Sequence, residues 1–227
     1  MGGPRTQSPF ALNWLVNRIH DGYIAAAAQQ HAGGRLLDVG CGQRPHATML
    51  APYIASYIGL EYDQVRYATT PPDCWGSALD LPFCNDSFDT VLAAQVLEHL
   101  PEPAQALAEM GRVLKPGGYL ILSAPHIWGV HESPHDYFRF TGYGLQHLAA
   151  TAGLEVVGVE AMAGYWVTAG SRFCYYLHQF DKAGLGWTIR PLYALVQIVA
   201  WGLDRLHRVE SEAWNFILLA RKGAGSV

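Results

Sequence analysis

The chain has 227 residues, of which 50% are hydrophobic and only 15% charged; that balance excludes a disordered chain and suits one well-buried domain or one domain with an elaboration. A net charge of −4 gives no electrostatic footprint for nucleic acid, which excludes a nucleic-acid partner. Four cysteines without a CxxC pair fit a reduced, cytoplasmic chain.

Residues 10–30 read as a helix. Phe10, Trp14, Ile19 and Tyr23 recur at helical spacing, an alanine run follows, and Gly33 and Gly34 stop it. RLLDVG is a short apolar strand ending in Asp38 and Gly40. Ala47–Tyr53 reads as a short helix, and SYIGLEYD as a second strand ending in Glu61 and Asp63. From Gln64 to Gly76 a helix or loop is interrupted by Pro71 and Pro72. SALDL is a weak third strand, and SFDTVLAAQ a fourth, announced by Asn85, Asp86 and Ser87.

Pro103–Leu114 is a helix that the run Lys115, Pro116, Gly117, Gly118 ends sharply. GYLILSAPH is nearly all apolar, hence a fifth strand buried on both faces. Thr141–Ala152 is a helix closed by Gly153. LEVVGVEAM and WNFILLARK are strands six and seven. Between them, residues 162–213 are rich in aromatics and read as helical over Ser171–Phe180 and again over Pro191–Leu206, with Pro191 suited to a first helical turn. No apolar run reaches the roughly 18 residues of a spanning helix. The opening MGGPRTQSPF lacks the charged-then-apolar pattern of a secretory signal.

Alternating strands and helices give an α/β fold, Rossmann-like, with a seven-stranded, mostly parallel sheet and helices on both faces. The expected parts are an N-terminal helical lid (1–34), a core (35–161), an aromatic-rich helical insertion (162–213), and a last strand and tail (214–227). Ligands of such sheets lie beyond the carboxyl ends of the strands, where Asp38, Glu61 and Gln95 would gather.

DVGCGQRP (38–45) is the first chemical motif. Gly40 and Gly42 permit the tight turn and close backbone approach that a cofactor needs. Glu61 follows at the distance expected of a ribose-hydroxyl acceptor, which suits any adenosine-containing cofactor. The runs LLDVGCG, IGLEYD, ALDLPFCNDSFDTVLAAQVLEHL and EMGRVLKPGGYLILSAPH together resemble the class I S-adenosylmethionine-dependent methyltransferases, more narrowly the methyltransferase type 11 group, over residues 35–160. The resemblance implies S-adenosylmethionine as cofactor. It implies that Asp38 and the backbone of Gly40, Cys41 and Gly42 face its methionine part. Glu61 would take the ribose hydroxyls, with Tyr62 beside the adenine. Asp80 would accept from the adenine amino group with the Leu81 backbone nearby, and Gln95 would line the pocket. Arg44 replaces the family's commoner third glycine. Cys41 itself reads as a small packed residue rather than a nucleophile.

HIWGVHESPHDYFRFT (126–141) crowds three of the ten histidines of the chain into one segment that Pro134 keeps from being a single helix. It follows strand five at the same rim, and resembles an H-x-x-x-H-D-Y-x-R-x-T segment in a subset of the group. Three readings stand. One is a substrate-facing loop with His131 or His135 as base, helped by His126 and Asp136, with His99, Tyr137 and Arg139 on the substrate. The second is a structural latch in which Asp136 pairs Arg139 and Thr141 caps the next helix. The third is a metal site of His131, His135 and Asp136, against which Pro134 argues; no resident metal is assigned.

Tyr165 and Trp166 are expected to contact substrate from the aromatic segment. The same segment also suits a homodimer interface, and residues 191–208, apolar and then basic, a peripheral membrane contact. The reading as a whole is a methyltransferase acting on a small-molecule or glycan- or lipid-linked acceptor, through O-methylation with a histidine base. Its rival is a binding or scaffold protein of the same fold without catalysis.

Overall fold

The computed structural model describes residues 8–62 and 71–224. Asp63 and the stretch from Gln64 to residue 70 lie outside the described residues. Seven strands form one sheet: β1 (Arg35–Val39), β2 (Ser56–Glu61), β3 (Cys74–Trp75), β4 (Phe88–Ala94), β5 (Leu114–Pro125), β6 (Leu154–Ala161) and β7 (Asn215–Lys222). Their order is β3-β2-β1-β4-β5-β7-β6, with β7 antiparallel to both neighbours and β1 to β5 parallel. Chain order reverses between β1 and β4, which makes that crevice the switch point where a ligand is expected.

Helices cover both faces because successive strand residues point to opposite sides. Leu37, Val91, Leu120 and Leu122 pack with Leu107 and Met110 of α3 (Pro103–Val113) and with Leu145 and Ala149 of α4 (Gly142–Thr151). Their strand neighbours Leu36, Leu92 and Ile121 face the other way. They meet α1 (Trp14–His31), α2 (Ala47–Leu50) and α5 (Tyr165–Phe180) through Leu15, Val16, Ile24, Leu50 and Val167. Thr141 caps α4, its side chain accepting from the Gly144 N–H at 3.0 Å.

Between β6 and β7 lie α5 and α6 (Gly186–Leu206), packed on each other through Cys174, Leu177 and Tyr193. Two buried polar residues of α6 tie the layers together. Gln197 accepts from the Leu15 N–H at 2.9 Å and donates to the Pro9 and Ala11 carbonyls. Asp204 accepts from the Gly164 N–H at 3.1 Å with either oxygen, and so caps α5 from a distance.

Three local expectations shift. The third strand is Cys74–Trp75, not SALDL; Ser77 and Asp80 instead form an isolated bridge that closes a turn. Pro191 lies inside α6, which begins at Gly186, so both late helices start earlier than their apolar pattern. Lys115 to Gly118 belong to β5 as an irregularity of its pairing with β4, and the Lys115 ammonium pairs with Asp89 at 2.9 Å.

Candidate active site

β1 ends at Val39 and turns at once. Gly40 and Cys41 both donate to the Leu60 carbonyl, at 2.9 and 3.0 Å, which folds the loop over β2. Gly40 has φ 68, and a Cβ there would lie 2.5 Å from Val96, so backbone and space both demand glycine. Gly42 donates to Glu61 Oε2 at 2.7 Å, and the Tyr62 N–H donates to Oε1 at 2.9 Å. The buried Glu61 carboxylate is therefore fixed against the loop by donors that ribose hydroxyls can replace. Arg44, in the place of a third glycine, itself adopts φ 54 and is held by Asp73 at 3.1 Å and the Pro71 carbonyl at 2.9 Å.

Asp38 lies beneath this loop and accepts the Tyr57 hydroxyl at 2.5 Å. Burial pushes its carboxyl up to about 6, against the opposing pull of His46 and Tyr57. Burial likewise pushes the Cys41 thiol up to about 12; its sulfur packs against Gly59, so it is a packed residue with no thiolate to offer.

Gln95 leaves β4 with φ 59. Its N–H donates to the Ser123 carbonyl at 3.0 Å and its side-chain amide to Ser123 Oγ at 3.2 Å. Ser123 Oγ also meets His20 Nε2 of α1 at 2.9 Å. His20 Nδ1 and His46 Nε2 stand 3.7 and 3.5 Å from Asp21 Oδ1. His20, Asp21, His46 and Ser123 line the same rim and were not singled out from sequence. The signal existed for one of them: Val16, His20, Ile24 and Ala28 recur every fourth residue, which puts His20 on the buried stripe of α1.

Asp80 and Tyr62 are exposed, on the side of the rim toward β2 and β3. Leu81 departs from expectation. Its N–H donates to Glu109 and its carbonyl accepts from Arg112, both at 2.9 Å, while its side chain is in the core. Its backbone is committed to α3 and is not offered to an adenine.

The loop after β5 separates the three readings of the histidine segment. Arg139 donates to both oxygens of Asp136 (2.6 and 2.7 Å) and to the carbonyls of Trp128, Gly129 and Phe138. All its N–H groups are engaged within the loop, so it does not hold a substrate anion. Asp136, its carboxyl held well below the usual range by that guanidinium, also accepts the His131 N–H at 2.8 Å. The latch is thus built as read, and Asp136 is a strut rather than a catalytic group. His126 is elsewhere: its N–H extends the ladder to the Trp214 carbonyl and its ring packs on Phe216. The metal set His131, His135 and Asp136 is not assembled either, because Asp136 faces Arg139 and His135 Nδ1 meets the Tyr137 hydroxyl at 3.1 Å.

A different trio converges. The short turn Leu97–His99 after β4 points Glu98 inward, fully buried. The N–H groups of Tyr137 and Phe138 clamp its backbone carbonyl (2.9 and 3.3 Å). The rings of His99 and His131 stand edge to face at 4.9 Å, with their Nε2 atoms 3.8 and 3.9 Å from Glu98 Oε1. Among the described residues no neighbour donates to either Glu98 oxygen, and burial pushes its carboxyl up to about 8. His135 is exposed, and its carbonyl accepts from His99 Nδ1 at 2.7 Å. The family resemblance points to the Glu98–His99 pair but gives a role to His99 alone; the apolar neighbours Leu97 and Leu100 hide the direction of Glu98.

Tyr165 and Trp166 meet edge to face at 5.3 Å, half exposed, at the start of α5. The α5 residues that meet the histidine loop are instead Tyr175, edge-on to Trp128 at 5.1 Å, and Arg172, which lies against Gly129.

Comparison with known proteins bears on this geometry. Residues 37–122 match the sequence model of a family described as Methyltransferase domain. An uncharacterized methyltransferase of Mycobacterium marinum is 40% identical over 126 residues, 50% of this chain and 49% of that one. A probable S-adenosylmethionine-dependent methyltransferase of Mycolicibacterium smegmatis is 36% identical over 166 residues, 68% of this chain and 65% of the relative. The chain spans about half the length of most of these curated relatives. Among solved structures, the [4+2]-cyclase SpnF is 26% identical with a TM-score of 0.58, over 90% of this chain and 81% of that one. A putative methyltransferase of Haloferax volcanii, solved with the Trm112 activator, shares the fold at 21% identity and a TM-score of 0.61, over 92% and 90%.

Proposed function

Since the chain belongs to the class I S-adenosylmethionine-dependent methyltransferases of the type 11 group, we propose that it methylates an oxygen of a small-molecule or glycan- or lipid-linked acceptor. The bound cofactor supplies an already activated methyl group. The protein then has to align the acceptor and take up its proton. Gly40 and Gly42 give the close backbone approach, and Glu61 exchanges its two amide donors for ribose hydroxyls. Asp38 faces the cationic methionine end, with Tyr62, Asp80 and Gln95 around the rest.

The observation that carries the oxygen-acceptor reading is the state of His135. Its Nδ1 is anchored to the Tyr137 hydroxyl, its ring is exposed, and Nε2 has no partner among the described residues. An imidazole oriented at one nitrogen and open at the other is a proton acceptor suited to neutral pH. A lipid-linked acceptor draws support from α6, where Leu195, Ile198 and Val199 form an exposed apolar stripe with Arg190 and Arg205 nearby.

The test is release of S-adenosylhomocysteine with a panel of hydroxyl acceptors, including host extract. His135→Ala should lower turnover by about 10²-fold or more while leaving cofactor affinity intact. Equal turnover in that variant would remove His135 as base, and no methylated product from any acceptor would remove the reaction. The likeness to a [4+2]-cyclase, a protein named for a reaction other than methyl transfer, favours one rival, a protein of the same fold without methyl-transfer catalysis. That protein would bind S-adenosylmethionine saturably, lose binding in Asp38→Ala and Glu61→Ala, and never release the demethylated product.

A further inference from the structure

We propose that Glu98, His99 and His131 form a binding site for a divalent transition-metal cation of the zinc class, with a coordination position left open toward the rim. The three ligand atoms lie within 4.8 Å of one another. The orientation of each group points the same way. His99 Nδ1 gives its hydrogen to the His135 carbonyl at 2.7 Å, so the lone pair is on Nε2, which faces Glu98 and also stands 3.8 Å from Glu132 Oε2. His131 Nδ1 faces two oxygens, the Gly129 carbonyl at 3.2 Å and Asp136 at 3.4 Å. These outweigh a contact from Arg139 at 3.4 Å and again leave the lone pair on Nε2, toward Glu98. Metal-ligating imidazoles are commonly fixed in this way, with Nδ1–H given to a carbonyl or carboxylate behind them and Nε2 turned to the metal.

Glu98 is the independent observation. It is 0% exposed, and among the described residues no other residue donates to either carboxylate oxygen. Two imidazole lone pairs converge on a buried carboxyl group, so a positive centre, a proton or a metal ion, has to lie between them. A cation answers all three groups at once. Tetrahedral zinc with ligand bonds near 2 Å sets its donors about 3.4 Å apart, so the observed 3.8 and 3.9 Å need to close by only about half an ångström. Two nitrogens and a carboxylate favour a transition metal over magnesium, and three protein ligands leave room for solvent or substrate. That the open position takes the acceptor oxygen rests on the methyl-transfer reading; metal binding itself does not.

The experiment is titration of chelator-treated full-length protein with cobalt(II), followed by its visible absorption, then displacement by zinc(II). One equivalent is expected, with an intense spectrum of low coordination number. Glu98→Gln and His131→Asn should each weaken binding by at least about ten-fold. His46→Ala should leave it unchanged, since it tests the other grouping, His20 with Asp21 and His46. Circular dichroism checks folding, and His131→Asn, on the loop, decides if Glu98→Gln does not fold. A folded wild type without a cobalt spectrum overturns the site. So does unchanged binding in a folded variant, or loss confined to His46→Ala. Calorimetry with S-adenosylmethionine on the metal-free protein runs in parallel, so failure of the methyl-donor reading is seen separately.

Discussion

Asp38 shows how a single residue can link the cofactor to pH. Its buried carboxyl titrates near 6, above the ordinary 3.8. Because the folded value is the higher one, its contribution to stability is complete below about pH 4 and is lost as pH rises through 6. Two units correspond to about 3 kcal/mol. Asp38→Asn should therefore gain up to that amount relative to wild type between about pH 4.5 and 7.5, measured by urea unfolding at both; parallel stability profiles would refute the assignment. The ammonium of a bound methionine moiety favours the ionised form, so wild-type cofactor affinity should rise with pH through the same window, and that of Asp38→Asn should not.

At the scale of elements, α5 depends on a cap that its own sequence does not contain. Gly164 precedes the helix without a side chain to cap it, and Asp204 of α6 does so instead. Asp204→Ala should cost about 2 kcal/mol and raise amide exchange at Val167 and Thr168 while leaving α4, capped by its own Thr141, unchanged. The same contrast explains what the sequence made legible. The glycine loop, Asp38 and Glu61 are local: a strand, a turn, and an acid at the end of the next strand. The Asp136–Arg139 latch, three residues apart, is local too. Glu98, Ser123 and His46 acquire their roles only when α1, β5 and the loop after β5 are brought together. SALDL reads as a strand because the turn at Ser77 offers a better apolar alternation than the two-residue strand Cys74–Trp75 beside it. Pro191 reads as a helix start because nothing in Gly186–Arg190 marks an earlier one.

Across the whole molecule, the two helices between β6 and β7 leave an uneven surface. Among the described residues no helix is long and apolar enough to cross a membrane. Yet Trp187, Leu195, Ile198, Val199 and Leu206 are exposed beside Arg190 and Arg205. Flotation with anionic liposomes should carry the protein upward, and Leu195→Ser with Ile198→Ser should abolish it; absence of wild-type flotation, or a dimer by light scattering that buries the stripe, would end that reading.

Gln197 has a consequence in time as well as space. Its partner Leu15 lies 182 residues earlier in the chain, and Gln197 answers both that N–H in the first turn of α1 and the Pro9 and Ala11 carbonyls just before the helix. During synthesis, α1 emerges from the ribosome well before α6, so the residue that secures it arrives 182 residues later. The docking of α1 is thus secured only after β1 to β6 have been made, a late-closing order set by one amide.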